Sequence, residues 1–462
     1  MSQPTFDSIS LRTELLENLA SLQYHNMTDI QAQSLPAIIQ GKDVIAQGKT
    51  GSGKTAAFGL GLLNKLDVKK FRIQSLVLCP TRELAEQVAT ELRKLARTVH
   101  NIKILTLCGG VPIGRQIDSL YHGAHIIVGT PGRIEDHLNR QTLDLSFVDT
   151  FVLDEADRML EMGFQSAIDA VVEQIPKERQ TLLFSATFPE KIEAISASIM
   201  HKPIMVKVES NHDQSSISQH FFHVNNNEDR LAALSLLLLQ HQPQSSVVFC
   251  NTKAETLTVC QQLNNQGFSA LALNGDLEQK ERDQTLVQFA NKSASILVAT
   301  DVAARGLDVD NLDAVFNYQM AHDIEVHVHR VGRTGRAGNK GLAFSFFTTK
   351  DQYKIELLND LPGRDIRDEA LPRASVLQRE ITPPAMATIQ IDSGKKQKIR
   401  AGDILGALTR DKDLQGDDIG KIQLFDNWAY VAVNREKRKL ALSKISNGKL
   451  KGKSVRARLL RG

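Results

Sequence analysis

Two short segments carry residue types that, at their spacing, do one kind of chemistry. Gly48-Lys49-Thr50-Gly51-Ser52-Gly53-Lys54-Thr55 follows the strand-like run Asp43–Ala46 and opens a helix-like stretch at 56–66. Its glycines let backbone N–H groups converge on phosphate oxygens with no Cβ in the way, and the helix start adds partial positive charge. The pattern G-x-x-x-x-G-K-[ST] in that strand–loop–helix setting predicts a cradle for a nucleoside triphosphate. Lys54 would reach the outer phosphates and Thr55 would ligate Mg²⁺. Further on, Asp154-Glu155-Ala156-Asp157 ends the apolar run 150–153. A carboxylate at the C-terminal end of a strand can hold the same Mg²⁺, Asp154 through a water, and Glu155 can act as general base on the attacking water. Lys54, Asp154 and Glu155 are thus the expected catalytic residues of triphosphate hydrolysis.

The elements that must position these groups contain a repeat. Ser75-Leu-Val-Leu-Cys79-Pro-Thr81-Arg82 returns as Ser246-Val-Val-Phe-Cys250-Asn-Thr252-Lys253. His125-Ile-Ile-Val128-Gly-Thr130 returns as Ser295-Ile-Leu-Val298-Ala-Thr300. Each copy is a short apolar run ending in small or polar residues, and the first pair is followed by a helix-like stretch. Buried parallel strands with crossover helices read this way. The expected fold class is α/β: two similar parallel-sheet domains in tandem, 1–207 and 219–370, joined by a polar linker at 208–218. A second linker at 371–384, with Pro372, Pro383 and Pro384, leads to a separate segment, 385–462. The second half has no phosphate loop and must contribute something else. Arg330, Arg333 and Arg336 recur at intervals of three, so on a helix they would share a face. Clustered guanidiniums need an anion opposite them. Arg333 and Arg336 therefore read as catalytic arginine fingers for a triphosphate held by the first half.

Composition narrows the partners. Of 462 residues, 42% are hydrophobic and 24% charged, which excludes a mainly disordered or fibrous chain. No apolar stretch approaches the roughly 20 residues of a membrane span. The first residues lack the basic start and apolar core of a secretory signal, so a cytoplasmic location is expected. Cys79, Cys108, Cys250 and Cys260 are too scattered for a disulfide framework or a zinc cage and read as buried thiols. Charge is uneven: residues 385–462 hold 18 Lys and Arg against 8 Asp and Glu, a net +10 within a chain of net +3, leaving −7 elsewhere. A basic appendage of this kind points to a polyanionic partner, nucleic acid first.

Taken in order over residues 6–336, these motifs resemble those of the DEAD-box RNA helicases of superfamily 2. Phe6 and Gln31 match the family's adenine-reading Q motif, so the resemblance implies ATP. Arg82, in Pro80–Ala85, matches a motif that grips RNA phosphates, as do Gly109-Gly110 and Thr130-Pro131-Gly132-Arg133. Arg282 and Thr300 match RNA-contacting positions of the second half. Ser185-Ala186-Thr187 matches the motif that couples hydrolysis to strand separation. Gly306 and Asp308, in Arg305–Asp308, match positions lining the nucleotide cleft, and 329–336 matches the arginine-rich final motif. The resemblance implies RecA-like domains, ATP and Mg²⁺ as cofactors, and local, sequence-blind separation of base pairs through backbone contacts. Gln23, Tyr24, Asp29 and His327 stand where the family usually has Gly, Phe, Pro and Tyr; none removes a charge the chemistry needs.

The segment 385–462 reads as β-α-β-β-α followed by a basic tail with a last strand near 454–459. That order fits a small α+β RNA-recognition fold. Trp428 and Tyr430, two apart on a strand, face the same side and could stack on bases; the alternative is packing beneath the tail or helices. The start of that motif is atypical, with Asp426-Asn427 in place of a basic residue and Gly, and Gln390 stands where the first strand would offer an aromatic. Lys451, Lys453 and Arg456 in the tail read as phosphate contacts. A bacterial subgroup of these helicases carries such a domain. Resemblance to it implies 23S ribosomal RNA, at the peptidyl-transferase-centre hairpin, or a pre-50S particle as the partner in large-subunit assembly. The alternatives are an ATP-gated RNA clamp or annealing protein, and a helicase acting on messenger RNA.

Overall fold

The structure is a computed structural model and describes residues 4–48, 51–208, 217–304, 312–335, 340–360, 366–411 and 413–460. They fall into two compact units, 4–208 and 217–460.

In the first unit the strands are β1 (Val44–Gln47), β2 (Ser75–Leu78), β3 (Ile104–Leu107), β4 (Ile126–Gly129), β5 (Thr150–Asp154), β6 (Gln180–Ser185) and β7 (Ile204–Lys207). They form one parallel sheet in the order β3-β4-β2-β5-β6-β1-β7. Helices cover both faces, so the strands are apolar on both sides rather than alternating with polar residues. Along β6, Leu182 and Phe184 enter one core with Phe58, Leu62 and Val152. Leu183, between them, enters the other with Phe151, Leu153 and Met159. Phe184 meets Phe58 edge to face at 5.2 Å; truncating either ring to Ala would cost about 3–5 kcal/mol. A parallel sheet puts all its C-terminal strand ends on one edge, and ligands of such sheets bind there.

The second unit begins with β8 (Ile217–His223), followed by β9 (Ser246–Phe249), β10 (Ala270–Leu273), β11 (Ile296–Ala299), β12 (Ala314–Asn317) and β13 (Gly341–Phe347). Their order is β10-β11-β9-β12-β13-β8, again parallel. The two RecA-like sheets thus account for the sequence repeat, with β2 and β9, and β4 and β11, as equivalents. Four further strands, β14 (Met386–Ile391), β15 (Ile419–Leu424), β16 (Ala429–Asn434) and β17 (Ala457–Leu459), form an antiparallel sheet in the order β15-β16-β14-β17. The helices Ala401–Thr409 and Arg438–Asn447 close one face of it over Ile389, Ile391, Ile404, Val431 and Ile445. All four cysteines are buried and unpaired with one another. Among the described residues no helix is long and apolar enough to cross a membrane.

The segment expected as a second linker is tied down. Just before it, Glu369 N–H donates to Phe221 O at 2.9 Å; within it, Arg379 Nη1 donates to Gln240 O at 3.1 Å and Thr382 Oγ1 to Gln242 Oε1 at 2.6 Å. Val376 is buried, and Ile381 packs against the same core. A short 3-10 helix, Ala374–Gln378, lies within this strap, and its apolar residues give it something to bury.

Candidate nucleotide and RNA sites

The nucleotide residues of the first unit gather at the C-terminal ends of three adjacent strands, β5, β6 and β1. Gly53 ends the phosphate loop at φ 93°, a left-handed conformation open to glycine. A Cβ there would also stand 2.5 Å from Gln31 Nε2. Lys54, the first residue of the helix Lys54–Lys65, is 6% exposed and donates from Nζ to Gly48 O at 2.8 Å. The loop backbone thus holds the ammonium until phosphate competes for it. Thr55 follows, half-buried; Gly51 and Ser52 lie in the loop, while Lys49 and Thr50 lie outside the described residues.

Gln31 braces this loop. Its Nε2 donates to Gly53 O at 3.1 Å and its Oε1 accepts from Thr28 N–H at 3.0 Å, which caps the helix Asp29–Ile39. Phe6 packs in the first core at 4% exposure. The Q-motif residues therefore meet the phosphate loop and the core around it.

Asp154 ends β5 at 3% exposure. Burial pushes its carboxyl up to about 7, with the Lys54 ammonium opposing. Glu155 adopts φ 52° and ψ 52°, unusual for a residue with a side chain and worth about 1–2 kcal/mol of strain. That turn aims its N–H at Asp154 Oδ1, 3.1 Å away. Asp157, to which sequence reasoning gave no role, is buried beside them. Its Oδ2 accepts from both the N–H and the Oγ1 of Thr187, at 3.0 and 2.8 Å. Ser185 O accepts from Gly48 N–H at 3.0 Å. The acidic segment, the Ser185–Thr187 segment and the phosphate loop are therefore joined directly. Hydrogen-bonding residues on neighbouring strand ends were the signal, but strand order was needed to pair them.

The expected RNA contacts of this unit gather on the other half of the same edge, after β2, β3 and β4. Gly109 lies so close to Arg82 that a Cβ would stand 2.9 Å from Nη2. Gly110 follows at φ 75°. Thr130 and Pro131 start the helix Pro131–Asn139, and Arg133 donates to Val111 O and Gln116 Oε1 at 3.1 and 3.0 Å. Sheet order thus separates the two groups: the residues expected at the nucleotide follow β5, β6 and β1, and those expected at RNA follow β3, β4 and β2.

In the second unit Arg330 is 2% exposed and clamped. Its guanidinium donates twice to Asp301, at 2.6 and 2.7 Å, and also to Asn251 Oδ1 and Gln319 O. The expectation of one helical face for the three arginines is corrected here, because the helix Ile324–Val331 ends before Arg333. Arg330 is a core brace, and Arg333 follows in a turn. Arg336, Gly306 and Asp308 lie outside the described residues. Thr300 lies beside the short helix Asp301–Ala304, and Arg282 Nη2 donates to Ala303 O at 2.9 Å.

The small sheet places Trp428 and Tyr430 as the alternation predicts, on the face opposite its helices. That face is covered. Tyr430 is 0% exposed and Trp428 half-buried, with Phe425 5.4 and 6.3 Å away, respectively. Burial raises the pKa of the Tyr430 hydroxyl, with Gln284 opposing. Neither ring is laid open for a base, so packing is the arrangement observed. The tail loop instead meets a second basic loop: Lys451 Nζ donates to Lys398 O at 2.6 Å. Lys395, Lys396, Lys398 and Arg400 thereby join Lys451 and Lys453 as exposed cations at one end of the domain. The spacing of the 395–400 run was a visible signal that sequence reasoning left unused. Arg456 is exposed beside β17.

The comparisons agree with this geometry. The DEAD/DEAH box helicase model matches residues 28–195, the helicase conserved C-terminal domain 229–338, and the DbpA RNA binding domain 388–459. A curated relative, the ATP-dependent RNA helicase DbpA of Escherichia coli K12, is 53% identical over 96% of this chain and 97% of its own. The DEAD-box ATP-dependent RNA helicase CshA of Bacillus cereus is 44% identical over 76% of this chain and 67% of its own. Among solved structures, S. cerevisiae Dbp5 bound to RNA and ADP BeF3 aligns with TM-score 0.72 at 29% identity, over 79% of this chain and 95% of that one. The chain belongs to the DEAD-box ATP-dependent RNA helicases. Within them its small C-terminal domain makes it a helicase of the DbpA type.

Proposed function

We propose that this RNA helicase is directed by its C-terminal domain to 23S ribosomal RNA, at the peptidyl-transferase-centre hairpin, and acts in the cytoplasm on the pre-50S particle. The observation that carries the targeting is the exposed basic end built from the 395–400 and 449–453 loops, in a domain of the DbpA RNA-binding family. Phosphate contacts from such an end supply affinity, and the loops around it supply the shape that is recognised.

In the hydrolytic step, Lys54 leaves Gly48 O for the outer phosphates and Glu155 takes a proton from the attacking water. Thr55 and Asp154 offer the hard oxygen donors that suit Mg²⁺, and a carboxyl raised by burial regains its charge beside a cation. When bound, that ion neutralises charge on the phosphate oxygens. By the family resemblance, Arg333 and Arg336 are the groups assigned to the charge that develops as the phosphoryl group transfers, and Gln31 with Phe6 is assigned to adenine. Thr187, through Asp157, reports the state of the acidic segment to the RNA-gripping loops carrying Arg82, Gly109, Gly110, Thr130 and Arg133.

The test is RNA-stimulated ATPase activity of the full chain and of a chain ending at Pro384, with a 23S fragment and an unrelated RNA of equal length at matched salt. Preference for the 23S fragment that disappears on truncation supports the targeting. Equal stimulation of both proteins by both RNAs removes it and leaves a helicase without a ribosomal address.

A further inference from the structure

The opposite edge of the first sheet, where its strands begin, exposes rings that a buried core would normally take. The loops that lead into β4, β2 and β5 each show one of them: Tyr121 at 88% exposure, Phe71 at 53% and Phe147 at 47%. Those three strands are neighbours in the sheet, so the loops stand side by side, at the roughly 4.8 Å spacing of paired strands. Cations share this edge. Lys65, Lys69, Lys70, Arg72 and Lys103 stand against Asp67, Asp144 and Asp149. Lys65 is paired with Asp149 at 3.2 Å and Lys70 with Asp67 at 3.5 Å. Arg72 lies over the Phe147 ring, 4.3 Å from its centre. The local balance is positive, although the chain before residue 385 is acidic overall.

A second observation is that this edge is held rigid by buried polar side chains at the far ends of the strands from the nucleotide residues. Gln74, buried, donates from Nε2 to Asp67 O and Lys70 O, each at 2.8 Å, and accepts at Oε1 from Asp67 N–H at 3.0 Å. His125, fully buried, accepts at Nδ1 from Lys103 N–H at 3.0 Å, so its Nε2 carries the proton and donates to Val68 O at 3.1 Å. The loop 67–72 is thus fixed along its length. Phe71 meets the His125 ring edge to face at 4.7 Å. A Cβ on Gly123 would stand 2.6 Å from the Phe71 ring, and Gly123 is at φ 68°, so glycine both turns the chain and leaves the ring its place. Rings and cations already held in position cost less to bind against.

We propose that this edge is a second RNA-binding surface, for the single-stranded RNA that flanks a duplex being separated. Bases stack on Tyr121 and Phe71. Lys69, Lys70 and Arg72 meet the phosphates, Arg72 with its guanidinium plane already set by Phe147. Aromatic rings beside cations hold a single strand whatever its sequence, because every base has a face to stack. Duplex RNA fits less well, since its bases are already stacked on one another. A protein partner also fits less well: protein interfaces exclude lysine from their centres, and Lys69 and Lys70 adjoin Phe71 directly. The strands between this edge and the loops carrying Arg82 and Thr130 are four residues long, about 13 Å, so one RNA can reach both. Contact at both raises the effective concentration of the duplex at the helicase core. The surface is independent of the ribosomal targeting.

The test uses full-length protein with two RNAs: a blunt duplex, and the same duplex with a single-stranded extension of non-ribosomal sequence at each end. Tyr121→Ala removes a ring that is almost wholly in solvent, so the fold is not at stake. The extensions are expected to tighten binding by the unaltered chain. Tyr121→Ala should lose at least about fivefold of that gain and Tyr121→Trp should keep it. Lys69→Glu should lose a similar factor and flatten the dependence of the gain on salt, with binding of the blunt duplex unchanged in all three. Absence of any gain in the unaltered chain, a gain that survives either Tyr121→Ala or Lys69→Glu, or an equal loss on the blunt duplex each overturns the proposal. Failure of Tyr121→Trp to keep the gain also overturns it, because stacking would not be the contact. Lost self-association of Tyr121→Ala in sedimentation, with the gain intact, would make the edge a protein contact and overturn it too.

Discussion

The two RecA-like sheets share an order of strands but treat a carboxylate at the sheet edge in opposite ways. In the second, Asp301 is held by both arms of Arg330, and the guanidinium is further bonded to Asn251 and Gln319. In the first, Asp154 takes one backbone N–H and faces an ammonium that is itself bonded to Gly48 O, and its carboxyl is pushed up to about 7. The first edge keeps unspent charge for a ligand; the second has used its charge internally. The difference shows how a duplicated scaffold divides labour. The copy whose charges are satisfied becomes structure, and the copy whose charges are left waiting becomes the nucleotide site.

The contrast can be tested by removing charge on each side. Lys54→Ala and Glu155→Gln are each expected to lower RNA-stimulated turnover by about 10²–10⁴-fold, since they remove phosphate stabilisation and the base. Steady-state phosphate release measures this, and near-normal turnover would deny the first edge its role. On the other side, Arg330→Ala empties a buried guanidinium site and leaves the half-buried Asp301 without its partner. It should destabilise the second unit by about 3–5 kcal/mol in urea unfolding. A shift no larger than that of a surface arginine would mean the brace is not structural.

Asp154 sharpens the comparison through pH. Its folded value lies above the usual 3.8, so the native state holds its proton across the window from 3.8 to about 7 while the unfolded chain has lost it. Stability of the first unit, free of nucleotide, should therefore fall as pH rises through that window, by a few kcal/mol, and level off above it. Asp154→Asn should flatten that slope. An unchanged slope would place the effect on other groups. The smallest effect belongs to the link between segments. Thr187→Val removes one hydroxyl bond to Asp157, about 1 kcal/mol, and should lower strand separation per ATP consumed. Equal losses of both activities would make that contact structural only.

Legibility followed distance along the chain. The phosphate loop, the acidic segment and the strand repeat are local patterns, each set by neighbours within a few residues, and all were readable. So was the alternation that puts Trp428, just before β16, and Tyr430, on it, on one side. The pairing of Asp157 with Thr187 was not readable, because it depends on β5 lying beside β6. The break between Arg330 and Arg333 was not readable either, since spacing by three cannot show that the helix ends at Val331. The cover over Tyr430 was also invisible, because it comes from the helix Gln279–Ala290, more than a hundred residues earlier in the chain.

By itself the sequence determined which chemistry the chain can do. Glycine spacing, a lysine and paired carboxylates make a triphosphate site wherever a strand meets a helix, and a block of cations needs an anionic partner. The tertiary structure decided which of those charges remain free to do it. Strand order separates the nucleotide loops from the RNA loops, burial leaves Asp154 wanting a cation while Asp301 is content with Arg330, and a helix from the second sheet takes the aromatic face of the small domain. These are contests for the same polar atoms between groups distant in sequence, and only packing brings the competitors together.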